Sequence, residues 1–290
     1  MSNTHRLILF LSLLWSPLAM SSPVTDTTFV NAERQMSAIA AKLSESRFKD
    51  AIQDSLAHLL HEMLGGVLKN EGSFEYPFDS LKNDVSIVKS SDGRLRLLTW
   101  FTVGDAGDYH YYGFLQYDDR SAKKLRLYNL VDNSDALEKT PNLENQTLSP
   151  QNWYGSLYYS IVEKKGPDGI VYTLLGWDGN GLYTSKKIVE PLVFTEKGQP
   201  KFGKLMIKYD RKKAKRLIFE FSKRVTMMVQ YDANLDMIVF DHLTDFGERS
   251  TGNPMFLGPD MSYDALKFED GMWLYQSNVT YQRPKAGKRR

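Results

Sequence analysis

One set of residues that could do chemistry lies in two short segments near the C-terminal end of the chain, FDHLTD and GPDMSYD. They supply Asp241, His242, Asp260 and Asp264. A histidine beside carboxylates at strand ends can act in general acid–base catalysis or bind a metal, and a pair of acids suits glycoside hydrolysis. Such residues also cap turns and strand ends, and the chain lacks a nucleophile elbow, a zincin motif and a phosphate-binding loop. We therefore assign no catalytic residue and keep these four as candidates.

A second candidate is GWDGNGLYTSKK, residues 176–187, where Asp178 and Asn180 lie among glycines and two lysines follow. The segment does not have the spacing of a calcium-binding loop, because the fifth and twelfth positions counted from Asp178 are apolar. An anion site is an alternative: glycine-rich backbone can form a nest, and Ser185 could cap a short helix beside Lys186 and Lys187. Asp-Gly and Asn-Gly pairs are also typical of turns that require positive φ. The turn is the favoured interpretation.

Aromatic side chains form the third candidate. Trp153 and Tyr154 begin one predicted strand, and Tyr112 lies in another that is rich in tyrosine. Exposed aromatic ladders stack on sugar rings, whereas buried ones fill a sandwich core. The core interpretation is favoured because aromatic residues are ordinary strand formers. If any of the three rings is exposed, we expect it to stack on a glycan while Asp178 and Asn180 bind hydroxyl groups.

Two amphipathic helices are predicted between Asn31 and Leu68, with a break near residues 44–46. In the second helix, His58, His61 and Glu62 have a spacing that a metal site could use. They fall opposite the apolar series that includes Ile52, Leu56, Leu59 and Met63, so a solvated polar face is the favoured interpretation. No metal and no cofactor is predicted.

The hydrophobic period changes from 3.6 to 2 after about residue 84, and Asp-Gly turns separate short strands. The sequence predicts a mainly β protein, an antiparallel meander or sandwich with some propeller-like features, preceded by the two helices. The predicted organisation is a signal peptide at 1–21, a helical segment at 22–72, a β-rich domain at 73–278 and a basic tail at 279–290. The predicted strands are 84–89, 94–103, 109–117, 124–131, 153–163, 170–177, 191–195, 203–208, 216–222, 226–231, 236–243, 263–268 and 272–278.

The N-terminus carries one basic residue, Arg6, then an apolar run and a small-residue site that suits cleavage after Ser21. This pattern predicts export to the periplasm or the cell exterior. No other stretch is apolar enough to span a bilayer, so no transmembrane segment is expected in the mature chain. Cysteine is absent, which excludes disulfides and thiol chemistry.

Charge is nearly balanced, with 37 basic and 35 acidic residues. Several of the basic residues belong to the terminal segment RPKAGKRR, so the body of the protein is mildly acidic. A basic tail can contact anionic surfaces, or it can be a solvated terminus, which is the favoured interpretation. The absence of a basic stripe argues against nucleic acid as the main partner, and a glycan or another envelope component is the partner class that remains open.

Between about residues 70 and 278 the segments SFEYPFDSL, WYGSLYYSIV, YTLLGWDGNGLYTSKKIVEPLVF, MIVFDHL and GPDMSYDALKFEDGMWLY resemble an uncharacterised family of exported proteins common in Bacteroidota and related bacteria. The resemblance implies export and brings no activity, cofactor or catalytic residue. The sequence favours a non-enzymatic binding or structural β-domain of the envelope, with a glycan or peptidoglycan fragment as the expected ligand. The alternative is a hydrolase that acts on an envelope polymer through the Asp and His residues at strand ends.

Overall fold

The computed structural model describes residues 27–46, 50–246 and 252–283. The predicted signal peptide and the last seven residues of the predicted basic tail lie outside these ranges. The fold class is confirmed: antiparallel sheets dominate, and two helices precede them. The long helices are α1, Thr27–Glu45, and α2, Asp50–Leu68, and a four-residue helix, α3, covers Ser134–Leu137.

Sheet 1 is a simple meander in which each strand pairs with the next one along the chain. It forms because tight turns join alternating apolar segments, which is the pattern that antiparallel hairpins require. Its strands are β1 (Ser86–Lys89), β2 (Leu95–Val103), β3 (Tyr109–Asp119) and β4 (Lys124–Val131). On the described part of the chain, β4 is the last strand of this sheet and leaves one edge unpaired along most of its length.

Sheet 2 has the strand order β11, β7, β6, β5, and β8 pairs with the far end of β7. Its strands are β5 (Leu157–Gly166), β6 (Gly169–Asp178), β7 (Thr184–Phe194), β8 (Pro200–Phe202) and β11 (Leu217–Ser222). β7 begins seven residues before the predicted strand at 191–195. The prediction missed this start because Thr184, Ser185 and Lys186 are polar. Tertiary contacts bury them, and composition does not reveal such contacts.

Sheet 3 has the order β10, β9, β15, β14, β13, β12. All its pairs are antiparallel except that of β9 with β15. A bulge interrupts the register of β13 and β14 between Asp241 and Leu243. Its strands are β9 (Ile207–Tyr209), β10 (Lys212–Ala214), β12 (Val229–Asp232), β13 (Met237–Asp245), β14 (Leu257–Glu269) and β15 (Met272–Gln276).

Three hydrophobic cores join these elements into four layers. The first lies between α1, α2 and sheet 1, around Leu64 and Trp100. The second lies between sheets 1 and 2 and includes Trp153 and Tyr158. The third lies between sheets 2 and 3, around Trp273. Sheets 1 and 2 therefore bury side chains on both faces, which matches their nearly continuous apolar strands.

Helix α2 lies on sheet 1 through a face that differs from the predicted one. Its buried side chains follow the series Gln53, Ala57, Leu60, Leu64 and Leu68. Ile52 and Leu59, which were expected in the apolar face, are 51% and 47% exposed. A helix with apolar residues around much of its circumference does not specify its buried face by pattern alone, and the surface of sheet 1 decides it.

Candidate functional site

A groove runs between α2 and the face of sheet 1 that lies beside it. It consists of three adjoining clefts with volumes of about 570, 360 and 100 Å³. The clefts share lining residues: His61 and Asn129 border the first two, and Asp54 and His110 border the first and third. We call this feature the α2 groove. The remaining lining residues of its central cleft are His58, Tyr111, Tyr112, Leu130, Val131 and the loop 132–135.

Helical spacing places one side of the groove. Asp54, His58, His61 and Gly65 follow one another at intervals of four, three and four residues, so they lie along one face of α2. Gly65 allows α2 to lie close to sheet 1 at that end of the groove, since an added Cβ would lie 2.9 Å from the Phe114 ring. Strands β3 and β4 and the start of the loop that follows supply the floor and the opposite side.

His61 is a half-buried imidazole of the groove with a shifted pKa. Its ring stacks on Phe114 at a centroid distance of 4.5 Å, and its Nδ1 is buried without a hydrogen-bond partner in the described chain. Burial, and then the neighbouring His58, lower the pKa of His61 below its ordinary value. The ring is therefore held neutral near neutral pH, with a polar atom whose hydrogen-bonding capacity is unused.

Tyr112 is the half-buried aromatic ring of the groove. Trp100 supports it from the core at a centroid distance of 5.6 Å and an interplanar angle of 12°. Burial raises the pKa of the Tyr112 hydroxyl, so it stays protonated as a donor. A ring fixed by a second ring and bordering a polar cleft has the arrangement that aromatic stacking sites use.

The carboxylates of the groove fall into two groups. Asp132 accepts hydrogen bonds from the backbone N–H groups of Tyr111 and Ser134, at 2.8 and 3.0 Å, and from the Ser134 hydroxyl, so it holds the loop in place. Asp54 and Asp135 are exposed, and the described residues donate no hydrogen bond to either carboxylate. These two groups are available to an external donor.

Of the residues that line this groove, the sequence proposed only Tyr112 as a ligand-binding candidate. His58 and His61 were assigned to a solvated face, which holds for His58 and is wrong for the half-buried His61. The available signal was the helical spacing of Asp54 with these two histidines, together with the polar segment after β4. Only the packing of α2 on sheet 1 brings the two sets together. No group of three or more His, Asp or Glu side chains within residues 27–46, 50–246 and 252–283 has the geometry of a metal site.

Trp153 and Tyr154 are core residues. They are 0% and 1% exposed, and the Trp153 indole N–H donates to the Tyr158 hydroxyl at 3.0 Å. The Tyr154 hydroxyl donates to Glu138 at 2.9 Å. The core interpretation is confirmed for both rings, which have no face available to a ligand. Of the three aromatic candidates, Tyr112 alone borders a cleft of the described chain.

Asp178 points into the protein and is 3% exposed. It accepts hydrogen bonds from the Tyr111 hydroxyl at 2.9 Å and from the Asn180 N–H at 2.7 Å, and its Oδ2 lies 3.3 Å from the Tyr154 hydroxyl. Burial raises its pKa, an effect that the nearby Lys186 opposes. This carboxylate fixes the end of β6 and cannot reach a ligand hydroxyl.

Asn180 has the positive φ of 58° that the turn interpretation predicts, and its amide donates to the Thr184 hydroxyl at 2.6 Å. The geometry contradicts the anion-site alternative. Ser185 lies within β7 and caps no helix, and Lys186 is buried in an ion pair with Glu138 at 2.5 Å. Lys187 lies over the ring of Tyr159 at 4.5 Å.

The acid–histidine candidates divide between the two faces of sheet 3. Asp241 pairs with Tyr263 and Asp264 pairs with Phe240, so the two carboxylates project from opposite faces. Asp241 accepts from the N–H of Met228 at 2.7 Å and from the guanidinium of Arg283. It therefore cannot form an acid pair with Asp264.

His242 and Asp264 do meet, with 2.8 Å between Nδ1 and Oδ2. Asp264 also accepts from the Tyr275 hydroxyl and the Asn278 N–H, both at 2.9 Å. The hydrogen bond that the imidazole donates to Asp264 raises the pKa of His242, and the charge of the exposed Asp260 adds to the effect. The imidazole is 45% exposed. This is an oriented Asp–His pair on the protein surface beside the bulge.

Comparison with protein-family models, curated proteins and solved structures finds no match. The resemblance to exported proteins of Bacteroidota therefore remains a prediction. Among the helices of the described residues, none has both the length and the apolar character needed to cross a membrane.

Proposed function

We propose that the protein is an exported, non-enzymatic binding domain of the bacterial envelope, and that the α2 groove takes a glycan such as a peptidoglycan fragment. One observation carries the proposal: the half-buried ring of Tyr112 lies in the same cleft as the carboxylates of Asp54 and Asp135, which accept no hydrogen bond from the described residues. Sugar rings offer an apolar face to an aromatic ring and hydroxyl donors to carboxylates. The export component rests on the N-terminal sequence.

The dimensions of the groove support a chain-like ligand. Its central cleft of about 570 Å³ lies within the usual range for ligand sites. The α2 side from Asp54 to Gly65 extends roughly 16 Å at the helical rise per residue. Imidazole and amide groups from His58, His110 and Asn129 lie along the same groove and can pair with further hydroxyls.

Calorimetry and thermal shift against a panel of soluble glycans and peptidoglycan fragments test the proposal. We expect at least one ligand to bind, and Asp54→Asn to weaken it roughly tenfold or more, because a hydrogen bond to a charged group contributes about 1.5–3 kcal/mol. Tyr112→Ala should abolish binding, whereas Tyr183→Ala is the matched control, since Tyr183 is 64% exposed outside the groove. A panel without binders, or binding indifferent to both groove variants, would refute the proposal.

A second candidate function is hydrolysis of an envelope polymer, and the contact between His242 and Asp264 favours it. Asp264 orients the imidazole through Nδ1, which leaves Nε2 to act as a general base toward water. Asp241 has no part in this version, because it lies on the other face of the sheet.

Release of soluble fragments from purified peptidoglycan measures this activity. The hydrolase hypothesis expects His242→Gln to abolish release and Asp264→Asn to reduce it, while Asp54→Asn leaves it unchanged. Absence of release by the unmodified protein, or release that persists in His242→Gln, rules out this assignment.

A further inference from the structure

The outer edge of β4 presents main-chain groups without partners. Val131 donates its N–H to a carbonyl of the loop 150–153 at 2.7 Å and accepts an N–H from the same loop at 3.1 Å, so its main-chain groups point away from β3. Because these directions alternate along a strand, the main-chain groups of Leu125, Leu127 and Asn129 point the same way. Among the described residues, no hydrogen bond reaches them on that side. The edge therefore offers three N–H donors and three carbonyl acceptors to an external strand.

β4 lacks the short length, the proline and the bulge that usually protect an exposed strand edge. It is eight residues long, it contains no proline, and its register with β3 is unbroken. The opposite edge strand of sheet 1, β1, has only four residues. In sheet 2, the Glu144 carboxylate accepts from the Ile218 N–H of the edge strand β11 at 3.3 Å. A long and regular open edge is the form to which an extended peptide adds as a further strand.

A cleft lies directly beside this edge. Leu127 and Asn129 line the part of the α2 groove that has a volume of about 360 Å³, together with Gly65 and Phe114. Residues directly opposite each other in an antiparallel pair project from the same face of a sheet. A strand added to β4 would therefore place alternate side chains in this cleft, where Phe114 and Leu127 offer apolar surface.

Two lysines without ion pairs lie at the end of the groove where β4 begins. Lys69 lines the cleft just past the end of α2, and Lys124 is the first residue of β4. Both are exposed, and neither forms an ion pair within the described residues. The acids opposite the start of β4, Asp118 and Asp119, pair with arginines instead. Because the other end of the groove carries carboxylates, acidic groups of a ligand are favoured only at this end.

We propose that the β4 edge is a docking site for an extended peptide segment of a partner protein, paired antiparallel with residues 125–129. The segment has an apolar side chain opposite Leu127 and carboxylates toward its C-terminal end, beside Lys69 and Lys124. The chain's own terminal segment RPKAGKRR is basic and does not match this end. The main-chain groups of β4 take no part in the contacts proposed for a glycan, so the peptide site does not depend on glycan binding.

The probe is a fluorescein-labelled heptapeptide, Ser-Val-Thr-Leu-Thr-Glu-Glu with blocked ends, titrated with the full chain and followed by fluorescence anisotropy. In the proposed register its leucine lies opposite Leu127, and its last residue lies opposite Lys124. We expect saturable binding that weakens roughly fivefold when the leucine nitrogen is methylated, because the N–H that donates to the Leu127 carbonyl is lost. Methylation of the preceding threonine nitrogen, which points away from β4, is the matched control and should change affinity less than about twofold.

Two variants test the protein side of the pairing. Lys124→Glu should weaken the probe roughly fivefold, whereas Lys208→Glu, an exposed lysine of β9 in sheet 3, is the control and should not change it. Leu125→Pro removes one outward N–H and no hydrogen bond to β3. It should also weaken the probe while the circular dichroism spectrum stays unchanged.

Absence of saturable binding, equal effects of the two methylated peptides, or indifference to Lys124→Glu overturns the proposal. Sedimentation of the full chain without peptide supplies a further check. A dimer that Leu125→Pro dissociates would assign the edge to a second copy of the chain, which also overturns the peptide assignment. A failure of every glycan to bind would leave these outcomes unaffected.

Discussion

Glu190 and Arg216 form an ion pair that is fully enclosed between sheets 1 and 2. Their side chains are 1% and 0% exposed, and 2.6 Å separates Arg216 Nε from Glu190 Oε1. The Tyr158 hydroxyl donates to Glu190 Oε2 at 2.8 Å and accepts from the Trp153 indole at 3.0 Å. Arg216 also donates to the carbonyl of Leu143, so one charged pair ties two strands and a loop together.

Glu190→Gln removes the negative charge and keeps the side-chain shape. The guanidinium of Arg216 then remains buried without a counter-charge, because it has no route to solvent at 0% exposure. Removal of one partner of a buried pair costs about 3–5 kcal/mol. For a chain of this size we expect Tm to fall by roughly 6–20 °C. Arg216→Met should have a similar effect, since it leaves the carboxylate unpaired.

The double variant Glu190→Gln/Arg216→Met gives the sharper test. It removes both charges, so it should be more stable than the sum of the single effects implies. Urea unfolding followed by tryptophan fluorescence and circular dichroism measures all three variants. Asp168→Asn, which removes an exposed ion pair with Lys204, is the control and should change little. A single-variant cost below about 1 kcal/mol, or a fully additive double variant, would refute the reasoning.

Two further predictions concern the turn and the histidines. Gly179→Ala places a Cβ 2.2 Å from the Tyr109 ring and should destabilise the fold by about 1–3 kcal/mol in urea unfolding, whereas Gly181→Ala, with nothing within 4 Å, should be neutral. His61 has a lowered folded pKa, so its contribution to stability is present above about pH 6.5 and is lost as the pH falls through the folded value. His61→Phe should remove that acid-dependent loss of Tm. His242 has a raised folded pKa, so its contribution is present below about pH 6.5 and is lost as the pH rises, and His242→Gln should lower Tm mainly at acid pH. Equal effects of the two glycine variants, or unchanged pH profiles in the histidine variants, would contradict these assignments.

The fold class followed from the sequence because the hydrophobic period is a local property. The change from a period of 3.6 to a period of 2 after α2 located the helices and most strands. The buried face of α2 and the start of β7 did not follow, since both depend on tertiary burial. Gln53 illustrates the reason: its side chain is 2% exposed and donates to the Ser46 carbonyl while it accepts from the Val103 N–H. No local pattern assigns a polar residue to the buried face of a helix.

The candidate site was less predictable than the fold. The sequence shows which residue types could bind a ligand, but only the structure shows which of those side chains are available to one. The segment GWDGNGLYTSKK has the residue types of a ligand loop, yet Asp178 and Lys186 are engaged by Tyr111, Tyr154 and Glu138. A carboxylate whose lone pairs accept internal donors has lost its capacity for a ligand. Asp54 belongs to no motif, and its carboxylate can still accept hydrogen bonds from a ligand.

Two of the three buried side-chain polar atoms that lack a partner in the described residues lie at the boundary between the helices and sheet 1. Between sheets 1 and 2, the buried charges of Asp178 and Glu190 have partners at short distances. Against sheet 1, the helix-packed side retains His61 Nδ1 and Trp100 Nε1 as buried atoms without a partner in the described residues, and a third such atom, Ser156 Oγ, lies beside Gly176 of β6. A buried polar atom without a hydrogen bond costs about 1–3 kcal/mol, so each of these atoms calls for an explanation. His61 lines the α2 groove, and Trp100 supports the ring of Tyr112. Of these three residues, His61 is therefore the one that lines the groove that we propose binds the ligand.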